Sequence, residues 1–382
     1  MEKTKTSPLS FIKKWCYDKR LYFLVFFLPV AIMFSAYAFF KIHPIGDSSV
    51  LVLDLNGQYV YYYEQFRDAF HGNGSFIYNW SRNLSGEMFG VFAYYLASPF
   101  MLILVLLPRT MMATSILILQ LAKIGTAAVT FMFFLKKISV QKPKTISLII
   151  FPTMYALMSY MVVQLMDPMW LDGLIYLPLI CWGVHRLVDE GKLVPYIVPL
   201  ALMFIAHFYI GYMVGIFTFF YFCWYCLSRE GRILPKKFFS RCVAFGIGTL
   251  VALMCAAFVL ITVYNSLKLG KFEFTDPDFS LATQFDFLTF ITKLFPMSYD
   301  TVYAYDILRN GCIDTCSAVL YERQDNNERK DLYRSAHFPA CYTNVYKACR
   351  HGNARLPSAE LAALQIFFHI LIPDDSNGIQ GV

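Results

Sequence analysis

Residues 21–40 read LYFLVFFLPVAIMFSAYAFF, an apolar and aromatic run in which Ser35 is the one small hydroxyl side chain. As a helix, about 20 residues cover about 30 Å, the thickness of a hydrocarbon core. Lys3, Lys5, Lys13, Lys14, Lys19 and Arg20 all precede the run. A cleaved signal peptide has a shorter apolar region and a small-residue cleavage site, which Ser35-Ala36-Tyr37-Ala38 matches only weakly. The stretch therefore reads as an uncleaved first span with a cytoplasmic N-terminus, the usual result of basic flanking residues.

Further apolar runs follow at Met111–Leu135, Ile146–Val163, Leu171–Val188, Leu193–Ile210, Gly211–Leu227 and Val243–Tyr264. The connectors 136–144, 186–192 and 229–241 carry lysine and arginine, whereas those around Asp167 and His207 carry none. Positive-inside counting places the first set in the cytoplasm and the second outside. The expectation is an all-α polytopic membrane protein with seven spans and Asn265 on the outer side. Residues 91–107 are apolar as well, but short and interrupted by Pro99. Counting them as a full span would put Lys136 and Lys137 outside, so a re-entrant or interfacial helix packed on protein is expected.

Composition agrees with this reading. Of the 382 residues 57% are apolar, 18% aromatic and 15% charged, whereas a soluble domain is about 25% charged. The formal net charge of +7 is held largely in cytoplasmic segments, so it reports topology and not a nucleic-acid partner. Six of the ten cysteines (Cys16, Cys181, Cys223, Cys226, Cys242 and Cys255) are scattered without disulfide or metal spacing and read as buried free thiols. Phosphate-loop, serine-hydrolase and zinc-protease patterns are absent.

Two long outer segments, 42–90 and 265–301, are where chemistry would be housed, since loops beyond about 15 residues are usually functional. Asp54 follows Val50-Leu51-Val52-Leu53 and opens Asp54-Leu55-Asn56-Gly57-Gln58-Tyr59. A carboxylate at the membrane surface suits a general base. It equally suits a helix cap, with Gln58 four residues on. Tyr59, Tyr61, Tyr62, Tyr63 and Phe66 fit an interfacial helix, and stacking on a sugar ring is compatible with it. Arg67 suits either an ion pair with Asp68 or a lipid phosphate.

Lys123 interrupts an apolar span, so it faces the protein interior or snorkels outward. Asp167 and Asp172 bracket the turn Asp167-Pro168-Met169-Trp170-Leu171-Asp172. They suit orientation of a substrate hydroxyl or a divalent cation, and helix capping equally. His207, with Tyr209 and Tyr212 nearby, reads as structural. No organic cofactor and no dedicated metal centre are expected.

Three ordered motifs then resemble the bacterial YfhO membrane-protein family: 54–59, 167–172, and Phe89-Gly90-Val91-Phe92-Ala93-Tyr94-Tyr95-Leu96-Ala97-Ser98-Pro99-Phe100. The resemblance covers about residues 21–300. It implies a GT-C-like glycosyltransferase module of about seven helices that uses a polyprenyl-phosphate-linked sugar on the outer face of the cell membrane. Some members are implicated in glycosylating lipoteichoic acid or other envelope polymers. The essential acidic residue of the first outer loop would be Asp54, as general base for an inverting displacement. Substrate contacts would fall to Gln58, Tyr59, Arg67, Lys123, Asp167 and Asp172. A flippase or transporter of lipid-linked sugars is the rival class, and a structural scaffold is a weaker third.

The organisation expected is a basic N-terminus (1–20), the membrane module (21–302) and an aberrant tail (303–382). Cys312, Cys316, Cys341 and Cys349 follow no standard zinc spacing. Codons compatible with 312–322, 326–333 and 355–368, read one nucleotide on, encode an apolar run, a polar connector and a segment similar to downstream family sequence. The tail is therefore expected to have left the ancestral frame near Tyr303 and to be disordered. Relatives are longer, so the chain is expected to be truncated, which leaves its activity open to direct test.

Overall fold

The computed structural model describes residues 8–80, 86–139, 143–230 and 235–270, with side chains from residue 19 onward except 229–236, 269 and 270. The expected tail, 303–382, lies outside the described residues, as does most of the second outer segment. Residues 158–163 group with the segment after residue 270 as a separate compact unit, whose described part is the helix Ser159–Val163. Apart from that helix's place in the count of spans, all else below concerns the larger unit.

That unit is helical, with one two-residue hairpin. Its main helices are α1 (Pro8–Phe39), α2 (Val60–Phe70), α3 (Met112–Ile138), α4 (Ser147–Ala156), α5 (Asp172–Glu190), α6 (Val194–Ala206), α7 (Phe208–Glu230), α8 (Pro235–Cys255) and α9 (Ala257–Gly270). Strands β1 (Tyr78–Asn79) and β2 (Gly86–Glu87) pair antiparallel, with Tyr78 opposite Glu87.

Among the described residues five helical stretches are long and apolar enough to cross a membrane: 19–39, 109–138, 168–190, 208–228 and 237–255. Two broken pairs pass the same test together, Phe89–Leu96 with Pro99–Leu106 and Ser147–Ala156 with Ser159–Met166, for up to seven spans. The chain is thus an all-α polytopic membrane protein. The first pair turns by 97° at its break, the geometry of a broken or re-entrant span. Pro99 opens its second limb, where proline ends one helix and starts the next.

Besides Ile146–Val163, which breaks between Ala156 and Ser159, two expected runs divide. Leu193–Ile210 becomes the 13-residue α6, because His207 adopts an extended backbone (φ −162°, ψ 100°) before α7 begins. Val243–Tyr264 breaks at Ala256, between α8 and α9.

Helix α5 sits centrally, packed against α3 and α6. Gly183 permits the second contact, since a Cβ there would lie 2.5 Å from the Tyr196 Cα. Gly191, left-handed at φ 69°, ends α5 and lets the chain turn into α6. Beneath residues 50–66, Leu55, Tyr63, Phe66, Met101 and Leu104 form the buried apolar floor. Glu87 accepts hydrogen bonds from the Ser266 hydroxyl (2.6 Å) and the Gly90 N–H (2.8 Å), tying α9 to the base of the hairpin.

Candidate functional site

The chain leaves α1, passes through Leu53 at φ 46° and reaches Asp54. A left-handed backbone at a leucine costs about 1–3 kcal/mol, and such strain gathers at functional sites. Leu55–Tyr59 then forms a π-helical turn, and a second π-helical turn spans Phe92–Leu96. Such turns are rare and frequent at functional sites. The two face each other through their tyrosines: Tyr95 lies 5.0 Å from Tyr59 and 5.1 Å from Tyr62, centroid to centroid.

Asp54 is exposed and makes no capping bond with its side chain. Its carboxylate forms no hydrogen bond or ion pair with any described residue. Capping therefore does not account for it. Gln58 is exposed too, and its amide donates to the Tyr62 hydroxyl at 3.0 Å.

Beneath this surface the three motifs join. The buried Tyr59 hydroxyl donates to Asp167 Oδ1 at 2.9 Å. Burial, then Asp167, raises Tyr59 above the usual tyrosine range, so it stays a neutral donor. Burial pushes the Asp167 carboxyl up to about 6; the Tyr59 bond opposes the rise and the Asp54 charge adds to it. From the second motif, Ser98 donates to Asp172 Oδ1 at 3.0 Å. Trp170 Nε1 donates to the Tyr94 hydroxyl at 3.3 Å.

Lys123 completes the connection from α3. It is fully buried, 2.6 Å from Asp172 Oδ2 and 2.8 Å from the Pro168 carbonyl, with its ammonium 5.4 Å from the centre of the Phe100 ring. An unpaired charge there would cost several kcal/mol, so the ion pair with two further hydrogen bonds is what permits it. Gln120, one turn earlier, donates to the Leu165 carbonyl (2.7 Å) and accepts from Tyr37 of α1 (3.0 Å). The interior lysine thus holds the 167–172 turn.

Arg67 is placed apart from this polar core. Its Nε donates to the Leu107 carbonyl at 2.8 Å, and a second nitrogen lies 3.7 Å from Asp68. Arg109 bonds Glu64 at 2.6 Å and approaches Asp68 at 3.5 Å. The outer surface of α2 is therefore laced with charge beside Arg67.

His207 is fully buried beside Tyr94, their rings 4.7 Å apart. Burial, then the Lys123 charge, pushes it down to about 3, so it is neutral. Among the described residues no group of three or more His, Cys, Asp or Glu side chains is arranged to hold a metal ion. Sequence reasoning singled out Asp54, Gln58, Tyr59, Arg67, Lys123, Asp167 and Asp172, of which Arg67 lies apart, and gave no role to Gln120 or to Tyr94, Ser98 and Trp170 within the quoted motifs. The signal for Gln120 was present, an amide three residues before a lysine on one face of an apolar helix.

A central helix layer with a polar knot at one end, capped by a strained loop bearing an exposed carboxylate, defines a multi-span membrane protein with one candidate site. The family model described as "Bacterial membrane protein YfhO" matches residues 25–321. The chain belongs to that family. The match runs past Tyr303 and stops before Cys341. No curated protein and no solved structure matches the chain.

Proposed function

We propose that the chain transfers a sugar from a polyprenyl-phosphate donor to a cell-envelope acceptor such as lipoteichoic acid, on the outer face of the bacterial membrane, with Asp54 as general base. The supporting observation is the contrast between Asp54 and every other carboxylate of the three motifs. Asp167 and Asp172 are buried and hydrogen-bonded, while Asp54 is exposed behind a strained Leu53. A base must be free to reach the proton it takes.

In this reading the acceptor hydroxyl oxygen attacks the anomeric carbon as Asp54 takes its proton. The bond from that carbon to the phosphate oxygen breaks, the electron pair leaves with the lipid phosphate, and one displacement inverts the centre. Arg67, partly exposed on α2 beside Asp68, offsets the phosphate charge. Lys123, committed to Asp172 and Pro168, supports the floor. Gln58 and Tyr62, joined by a hydrogen bond, border the acceptor side, and Tyr59 links it to Asp167. A cytoplasmic N-terminus, inferred from the basic residues before α1, puts all three motifs outside. In the same organisation residues 1–20 are the cytoplasmic segment and 21–302 the membrane module.

The test uses the purified chain in lipid nanodiscs with undecaprenyl phosphate carrying a radiolabelled hexose and lipoteichoic acid as acceptor. Label appearing in the polymer is the expected result. Label that stays on the lipid while crossing the bilayer of reconstituted vesicles would replace transfer by transport.

A further inference from the structure

Two ammonium groups from different helices converge on one ring near the start of the first span. Lys19 Nζ lies 5.1 Å from the centre of the Tyr22 ring. Lys136 Nζ, from the last turn of α3, lies 4.5 Å from the same point. Helix α3 packs along α1, and Gly125 permits the approach, since a Cβ there would lie 2.7 Å from the Phe26 ring. The two ammonium groups are therefore within about 10 Å of each other, about one Debye length at 0.1 M salt, and repel. Tyr22 answers part of that repulsion, because an aromatic face attracts cations. Among the described residues neither lysine forms an ion pair or a hydrogen bond. The flanking sequence adds charge of the same sign. Residues 1–20 hold six basic and two acidic side chains, and residues 136–144 hold four lysines and no acidic side chain.

The seam lacks negative charge, and the surface beside it selects the molecule that brings it. Lys19, Phe23 and Phe27 follow at four-residue spacing, so they share one face of α1. The two phenylalanines are 49% and 57% exposed. This face presents a cation at the end of the span and apolar rings deeper in the bilayer. A free phosphate would use only the cation, whereas a phospholipid uses both. We propose that the seam between α1 and α3 binds one anionic phospholipid, with its phosphate between Lys19 and Lys136 and an acyl chain laid on Phe23 and Phe27. The seam lies near the start of α1, whereas Asp54 follows its end, so this site does not depend on sugar transfer.

The full chain in mild detergent is titrated with phosphatidylglycerol, or with phosphatidylcholine as a zwitterionic counterpart, and bound lipid is counted by native mass spectrometry. Wild type is expected to hold its first phosphatidylglycerol at least about tenfold more tightly than phosphatidylcholine. Lys19→Gln combined with Lys136→Gln is expected to weaken that lipid about 25-fold, about fivefold for each basic side chain at an anionic surface. Phosphatidylcholine binding should not change. Lys19→Arg combined with Lys136→Arg keeps both charges and is expected to stay within about threefold of wild type. Lys192→Gln combined with Lys237→Gln removes two exposed charges outside the seam and is expected to stay within about twofold. Equal phosphatidylglycerol affinity in wild type and the Lys19/Lys136 glutamine pair would overturn the proposal. An equal loss in the Lys192/Lys237 pair would replace a site by overall charge and overturn it too. The same holds for a loss in the arginine pair as large as in the glutamine pair, or for a wild type that does not distinguish the two lipids. None of these outcomes bears on Asp54.

Discussion

Helices α1 and α8 are as apolar as α3, yet within their apolar windows only 17% and 11% of residues are buried inside the protein. For the spans containing α3 and α5 the shares are 61% and 78%. The difference lies in a few polar side chains. Gln120 and Lys123 on α3 and Asp172 at the head of α5 are satisfied within the protein, by each other, by the 164–172 segment, by Tyr37 and by Ser98. The outer pair presents Phe27, Phe34, Ile247, Leu250 and Met254 outward instead. Apolarity selects the membrane as solvent, and sparse polar groups decide which helices take the centre, because lipid offers them no partner.

The contrast breaks most severely at Lys123. Lys123→Met leaves Asp172 buried without its counter-ion and is expected to lower stability by about 3–5 kcal/mol, read as a fall in the thermal midpoint of the detergent-solubilised chain. Lys123→Met combined with Asp172→Leu is expected to recover most of that loss, since both charges are then gone. A double variant no better than the single one would contradict the pairing.

Asp167 supplies a graded test. Its folded value of about 6 lies above the ordinary 3.8, so the folded state holds the proton more tightly than the unfolded chain does. Its contribution to stability is therefore greatest below about pH 4 and falls as pH rises towards and through 6, by on the order of 3 kcal/mol. Asp167→Asn is expected to remove this slope from a melting series between pH 4 and 7.5. An unchanged slope would assign it to other groups. Tyr59→Phe, which removes the hydrogen bond to Asp167, is expected to cost about 1 kcal/mol. It should also move the midpoint of the Asp167 slope to higher pH.

At the outer pair, Leu250→Ala replaces a lipid-facing side chain that is 59% exposed. It is expected to change stability by within about 0.5 kcal/mol. A large loss there would mean that α8 is covered by another protein surface.

Most spans were legible because a run of about 20 apolar residues has few other solutions. The exceptions are local backbone events. His207 splits 193–210 by turning extended and capping α7 with its ring, and hydropathy carries no trace of that bond. The π-helical turns at 55–59 and 92–96 are equally invisible, since a turn of this kind changes register without changing composition. Lys123 announced itself as a charge in an apolar helix. Its partner did not: Asp172 read as well as a helix cap, and only the packing of α3 on α5 brings the two together. Asp54 read equally as cap or base, and the missing capping bond removes the first of these.

The central claim is that Asp54 is the reacting carboxylate over a floor built by the other two motifs. The direct measurement is the initial rate of hexose transfer from undecaprenyl phosphate to lipoteichoic acid by the purified chain in nanodiscs, wild type against Asp54→Asn, with thermal midpoints recorded in parallel. Because Asp54 is exposed and bonds to no described neighbour, the account predicts a rate loss of at least 100-fold, the scale of a removed general base, with the midpoint unchanged. Transfer by Asp54→Asn at the wild-type rate would contradict it.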